Sequence, residues 1–183
     1  MAKTDLIDID ALCQLLDYDA TTGVMSWKVR PREMFDNEGP WVSWNKRMAG
    51  KPAYLTKRGN YYRLKILRST YAAHRVAWAI QHKRWPVGNI DHINGDGFDN
   101  RASNLRDVSH RENCRNLAMK RENKSGFMGV VRRGPSWRPY IWVDGKQKYL
   151  GSYKDFDEAV RIRRDAEIAY GFHPNHGRPR VWI

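Results

Sequence analysis

A polar block over residues 89–113 constrains this chain more than any other feature. It reads Asn89-Ile90-Asp91-His92-Ile93-Asn94-Gly95-Asp96-Gly97 and runs on to Asn104-Leu105-Arg106-Asp107-Val108-Ser109-His110-Arg111-Glu112-Asn113. Gly95, Gly97 and Asn100 mark a tight polar loop after a strand ending near Asp91. Leu105 to Val108 reads as a short second strand. Ser109 with Glu112 three residues later is a capping box, so a helix opens there. The expected order is strand, loop, strand, helix. Asp91 then ends one element while Asn113 sits in the first turns of another, and their oxygens can converge.

A carboxylate with an amide oxygen makes a hard, low-charge site suited to Mg²⁺, with positions left for water and a substrate phosphate. His92 beside it is an imidazole whose ordinary pKa of about 6.5 leaves it mostly neutral at pH 7 and able to accept a proton. Such a pair suffices for phosphodiester hydrolysis. Adjacent side chains on a regular strand face opposite ways, so Asp91 and His92 share a site only where the strand end is distorted.

Charge names the partner class. The 183 residues carry 33 Lys+Arg against 20 Asp+Glu, a net charge of +13. Residues 31–90 hold +9 and residues 125–183 hold +5, whereas residues 91–124 hold only +1 and residues 1–30 hold -2. Two basic blocks around a polar, carboxylate-bearing centre fit a protein that grips a polyanion, nucleic acid first. Hydrophobic residues make up 41% of the chain, enough for cores and against wholesale disorder. No apolar run approaches the ~18 residues of a membrane span, and no signal-peptide core is visible, so a cytoplasmic protein is expected. Cys13 and Cys114 are the two cysteines, too few for a disulfide framework or a four-cysteine zinc ribbon.

Elsewhere the spacing predicts a helix over 5–17, a turn over 19–23, strands over 24–29 and 61–67, and a helix over 71–82. Residues 31–52, rich in Trp, Pro, Asn and Gly, read as an irregular surface excursion. The expected organisation is a basic N-terminal region over 1–70, a nuclease core over 71–117, a linker over 118–126, a C-terminal domain over 127–172 and a tail over 173–183.

Residues 74–116 resemble the HNH endonuclease family in its phage and intron homing form. The resemblance rests on His74-Arg75-Val76-Ala77-Trp78, Ile90-Asp91-His92-Ile93-Asn94-Gly95-Asp96, Asp99-Asn100-Arg101, Asn104-Leu105-Arg106 and Glu112-Asn113. It implies a ββα-metal fold binding one divalent ion, Mg²⁺ with Mn²⁺ as a substitute. It also implies Asp91 as first metal ligand, His92 as general base, Asn104 as the catalytic-site asparagine that braces the loop and orients that base, and Asn113 as second ligand. His74 is expected to pack or to contact phosphate, and His110, Arg111 and Arg115 either reach phosphates or form a solvated helix face.

The C-terminal segment predicts three short strands, with Asp144-Gly145 as the second hairpin turn, and an amphipathic helix over 157–170 packed through Ala159, Ile162, Ala166 and Ala169. If Ile141 and Val143 face that helix, Arg138, Tyr140 and Trp142 face away, joined by Arg133, Gln147 and Tyr149. A sheet of exposed Arg and aromatic residues can enter a major groove. This segment resembles the AP2 DNA-binding domain through Ser125-Gly126, Gly129-Val130, Trp137, Leu150-Gly151 and Glu158-Ala159. The resemblance implies DNA contacts from Arg133, Arg138, Tyr140, Trp142 and Tyr149. Val131 stands where plant members commonly carry arginine, so their base specificity does not transfer.

The fold class expected is therefore α+β, a ββα-metal core followed by a three-stranded sheet and helix. The expected function is Mg²⁺-dependent nicking of double-stranded DNA by a monomer with no membrane or obligate protein partner. The alternative is a non-catalytic DNA-binding regulator with a vestigial nuclease motif.

Overall fold

The computed structural model describes residues 6–54, 56–117, 119 and 122–178. Parts of the expected N-terminal helix (residue 5), linker (118, 120 and 121) and tail (179–183) lie outside the described residues. The chain divides into two units, Met1–Val108 and Ser109–Ile183. Among the described residues it is an α+β protein of small antiparallel sheets and five α-helices.

In the first unit, Ile9–Leu15 (α1) opens at Asp8, whose carboxylate accepts from the Asp10 and Ala11 amides at 2.9 and 3.2 Å. The helix is shorter than its apolar spacing predicts. Leu16–Tyr18 (β1) leaves it to pair with Met25–Trp27 (β2), which buries Leu16 in an antiparallel register opposite Trp27. Asp19 closes the turn between them by accepting from Thr21 and Thr22.

The segment expected to be irregular contains a 3-10 turn, Arg32–Met34, and an eleven-residue helix, Glu38–Met48 (α2). Gly39-Pro40 reads as a breaker in sequence. Pro40 occupies the first turn, where its missing N–H has no intrahelical partner to lose. Trp44 and Met48, one turn apart, then pack against the core, with Trp44 edge-on to Trp27 at 5.8 Å between ring centroids.

Thr56–Arg58 (β3), Tyr61–Ile66 (β4) and Ser69–Ala72 (β5) form a three-stranded antiparallel sheet in that order. Leu64 and Ile66 are buried while Leu67 turns out to solvent. Ala73–His82 (α3) begins two residues later than the spacing predicts, because Tyr71 and Ala72 are spent on β5. Its apolar face, Ala73, Val76 and Ala77, is fully buried, and the helix packs against α1, β4 and β5. Asn89–His92 (β6) and Leu105–Val108 (β7) pair antiparallel, with His92 opposite Leu105, and also pack on α3. Ile90 and Leu105 carry this hairpin into the core.

In the second unit, His110–Cys114 (α4) starts at the expected capping box, with both the Ser109 and Glu112 side chains bonded to backbone. Val130–Arg133 (β8), Ser136–Val143 (β9) and Lys146–Tyr149 (β10) form an antiparallel sheet with β9 in the centre. Asp144 and Gly145 both have positive φ, as a type I′ turn demands. Phe156–Ala169 (α5), capped by Asp155, packs on β8 and β9.

The buried face of α5 differs from the expected one. Ala159 and Arg163 are buried, Ile162 and Ala166 are half-buried, and Ala169 is exposed. Arg163 falls one turn after Ala159 and so cannot avoid the sheet side. It is carried there with Glu167, 2.8 Å away, as an i,i+4 pair. The segment after α4 is tied to the chain's C-terminal part: the Arg115 and Leu117 carbonyls accept from the His173 and Gly177 amides. The division between units accordingly falls at Val108, ahead of the linker expected at 118–126.

Candidate active site

Asp91 and His92 are the last two residues of β6, and both are buried, 7% and 5% exposed. The strand ends there because Gly95 N–H donates to the His92 carbonyl at 2.9 Å, turning the chain into the loop. Asp91 lies opposite Arg106 on β7, and the guanidinium donates from Nε and Nη2 to one carboxylate oxygen, Oδ2, at 2.8 and 2.6 Å. His92 enters a cluster of rings. Tyr61 stacks near it at 5.8 Å, and His74 from α3 meets it edge-on at 5.2 Å.

The 93–104 loop is held from inside and outside. Asn104 braces it, accepting from the Asn94 amide at 2.9 Å and donating to the Asp99 carbonyl at 2.8 Å. Asp99 receives Asn94 and two guanidinium nitrogens of Arg101. From outside, the Tyr18 hydroxyl donates to the Asn100 carbonyl at 2.8 Å and the Ala102 amide to the Ala20 carbonyl at 2.9 Å. Two glycines permit this packing. A Cβ on Gly23 would sit 2.6 Å from the Arg101 nitrogen, and one on Gly97 would sit 2.0 Å from the Asn60 carbonyl oxygen. The loop is thus wedged between the β1–β2 turn and the β3–β4 turn. The N-terminal region, to which the sequence assigns no role beyond charge, is the mould of the loop.

Burial holds His92 below the ordinary histidine pKa, with Asn100 and the carboxylates of Asp91, Asp96 and Asp99 pulling the other way. A neutral imidazole at pH 7 follows. Its Nε2 lies 3.4 Å from Asn100 Oδ1. In the tautomer that protonates Nε2, that amide oxygen accepts from it. The amide beside His92 is therefore Asn100, while Asn104 acts on the loop backbone. Burial, then the neighbouring His92, pushes His74 down to about 3.

Sequence reasoning missed Asn100 as a partner of His92, since an Asn after Gly-Asp-Gly reads as a turn former. It missed Tyr61 altogether. Its only local signal is an aromatic residue at the start of β4, and the loop glycine that presses on it lies 36 positions away.

Among the described residues no group of three or more His, Cys, Asp or Glu side chains is placed to hold a metal ion. At the end of β6 the hard donor is the Asp91 carboxylate, one oxygen of which is held by Arg106. That set suits an ion that keeps several waters and takes one or two carboxylates plus substrate phosphate, as Mg²⁺ does, and not an all-protein cage. Asn113 stands on α4, half-buried, with His110 one turn before it and 3.6 Å from Cys114 Sγ. Arg111 is exposed and paired with Asp144, and Arg115 lies over Phe172 at 5.7 Å.

The sheet of the second unit divides its faces as strand parity demands. Val130, Pro139, Ile141 and Val143 are buried. Val131 pairs with Arg138, Arg133 with Ser136, Trp142 with Gln147 and Tyr140 with Tyr149, so all eight share the opposite face. Arg133, Arg138, Trp142 and Tyr149 are exposed, with Trp142 at 62%, and Tyr140 is half-buried beside Tyr149. No helix among the described residues is long and apolar enough to cross a membrane.

Residues 71–115 match the family model of the HNH endonuclease. Over 99 residues the chain is 31% identical to Protein 3.8 of Escherichia phage T7, an alignment covering 50% of this chain and 81% of the phage protein. No solved structure matches. The chain carries an HNH endonuclease domain and belongs to the same family as the phage T7 Protein 3.8.

Proposed function

We propose that this chain is a Mg²⁺-dependent DNA endonuclease of the homing type that nicks double-stranded DNA to leave 5′-phosphate and 3′-hydroxyl ends. The observation that carries this reading is His92: buried, held below the ordinary histidine pKa, beside Asn100, and one residue after the buried Asp91 at the end of β6, where the braced loop begins. His92 takes a proton from water as the water oxygen attacks phosphorus and the bond to the 3′ oxygen breaks, the departing oxygen taking a proton from solvent to give the 3′-hydroxyl. Asp91 and Asn113 are the residues that would hold the ion. When bound, it supplies charge stabilisation at the leaving oxygen. Asn104 keeps the loop, and through it the imidazole, in place. Arg133, Arg138, Tyr140, Trp142 and Tyr149, with Arg111 and Arg115, bind the duplex, the sheet in the manner of an AP2 domain. One such site cuts one strand, so a monomer nicks. Mn²⁺ supports the same reaction.

The test is relaxation of supercoiled plasmid with Mg²⁺, followed by ligation of the nicked product. Nicks that DNA ligase seals directly carry the expected ends; nicks that need end repair contradict them.

One observation favours a second reading. The Asp91–Arg106 ion pair already neutralises the carboxylate meant for the metal, as it would in a DNA-binding regulator whose nuclease motif is vestigial. Tight duplex binding without cleavage across a titration of Mg²⁺ and Mn²⁺ would decide for the regulator.

A further inference from the structure

The second unit contains a cavity of about 840 Å³, within the range of roughly 300–1,000 Å³ in which proteins hold small molecules. Cations and aromatic rings line it together. Arg111, Arg115 and Arg163 share its wall with Tyr140, Trp142 and Phe172. Arg111 is taken by Asp144. The other two guanidiniums flank a single ring, Arg115 at 5.7 Å and Arg163 at 5.6 Å from the centroid of Phe172.

Arg163 closes the back of the cavity. It is 3% exposed, its Nη1 lies 2.8 Å from Glu167, and its Nε packs on Gly129, where a Cβ would lie 2.5 Å away. Arg115, half-buried in the same wall, is the guanidinium left for a ligand. Planar guanidinium forks match phosphate oxygens. Indole and phenol faces match a nucleobase. Of the carboxylates in the lining, Asp144 is held by Arg111, and Glu122 is the other.

We propose that this cavity binds one nucleoside monophosphate unit, its phosphate at Arg115 and its base against Trp142 and Tyr140. The unit comes either from free nucleotide or from a DNA strand that everts one residue into the cavity. This site rests on the nuclease reading only for the choice of a nucleic-acid ligand.

Two arms on the full chain separate the sources. The first is calorimetry with deoxynucleoside monophosphates, beside the matching deoxynucleosides and inorganic phosphate. The second is 2-aminopurine fluorescence in duplex DNA at saturating protein, which brightens when the base leaves the stack. The expected result is a signal in at least one arm, reduced about tenfold or more by Trp142→Ala, the loss of one base stack. Arg115→Ala reduces it similarly and leaves the core of α5 untouched. Lys154→Ala, exposed in the second unit and outside the cavity lining, leaves it unchanged. Silence in both arms overturns the site, as does a signal that Trp142→Ala and Arg115→Ala spare or that Lys154→Ala weakens equally. Nicking without a nucleotide signal defeats this inference alone, and a nucleotide signal without nicking defeats the nuclease reading alone.

Discussion

His74 and His92 show what burial does to a titratable residue in a small protein. His74 is neutral because its surroundings cannot solvate an imidazolium, and in the proposed function the same desolvation would keep His92 available as a base. The linkage to stability has a definite sign. A histidine whose folded pKa lies below its unfolded value contributes stability that is fully present above about pH 6.5 and is lost as the pH falls toward the folded value. For His74 that window runs from about 6.5 down to about 3. Between pH 7 and 5 the parent protein should lose roughly 1–2 kcal/mol through this residue. Denaturant unfolding at the two pH values measures the loss, and His74→Phe should flatten it. An equal loss in the variant would remove His74 from the account. Asn100→Ala tests the other contact. It should lower the nicking rate about tenfold or more with duplex affinity unchanged, because it frees the imidazole's tautomer and orientation without touching the DNA-binding sheet.

At the scale of elements, the β6–loop–β7 hairpin is the working part in the proposed function, and the N-terminal sheets are its mould. Gly97→Ala is the sharp probe, since the added carbon lands on the Asn60 carbonyl and the Tyr61 ring. Loss of about 1–3 kcal/mol of stability and of nicking together is expected, read by thermal melts and plasmid assay. An unaffected variant would mean that the loop is not wedged. The hairpin and the start of α4 were legible in the sequence because their signals are local: the turn residues Gly95, Gly97 and Asn100 between two short segments, and a capping box at Ser109. The helix α2 was not legible, since Gly39-Pro40 reads as a breaker unless one knows that the pair falls in a first turn. Burial of Arg163 was not legible either. Its position follows from helix period, but its tolerance of the interior depends on Glu167 and on the opening at Gly129. Of the site, Asp91, His92 and Asn104 stand out in sequence, whereas Tyr61 and Asn100 join it through packing between distant turns.

At the scale of the molecule, charge and chemistry are separated along the chain. The +9 of residues 31–90 and the +5 of residues 125–183 surround a block of +1 that carries Asp91 and His92. Binding dominated by phosphate contacts releases counterions, so duplex affinity should fall steeply with salt, by about 10³-fold or more from 50 to 200 mM if six or more phosphates are engaged. A flat titration would mean that the excess charge serves another purpose. Arg138→Ala should reduce the slope of log affinity against log salt by about one. The central claim is that His92 performs the chemistry, and it is tested most directly by single-turnover nicking of supercoiled plasmid at saturating protein and Mg²⁺. The account predicts that His92→Ala, with duplex affinity and melting behaviour retained, nicks at least about 100-fold more slowly than the parent. Equal rates would contradict it.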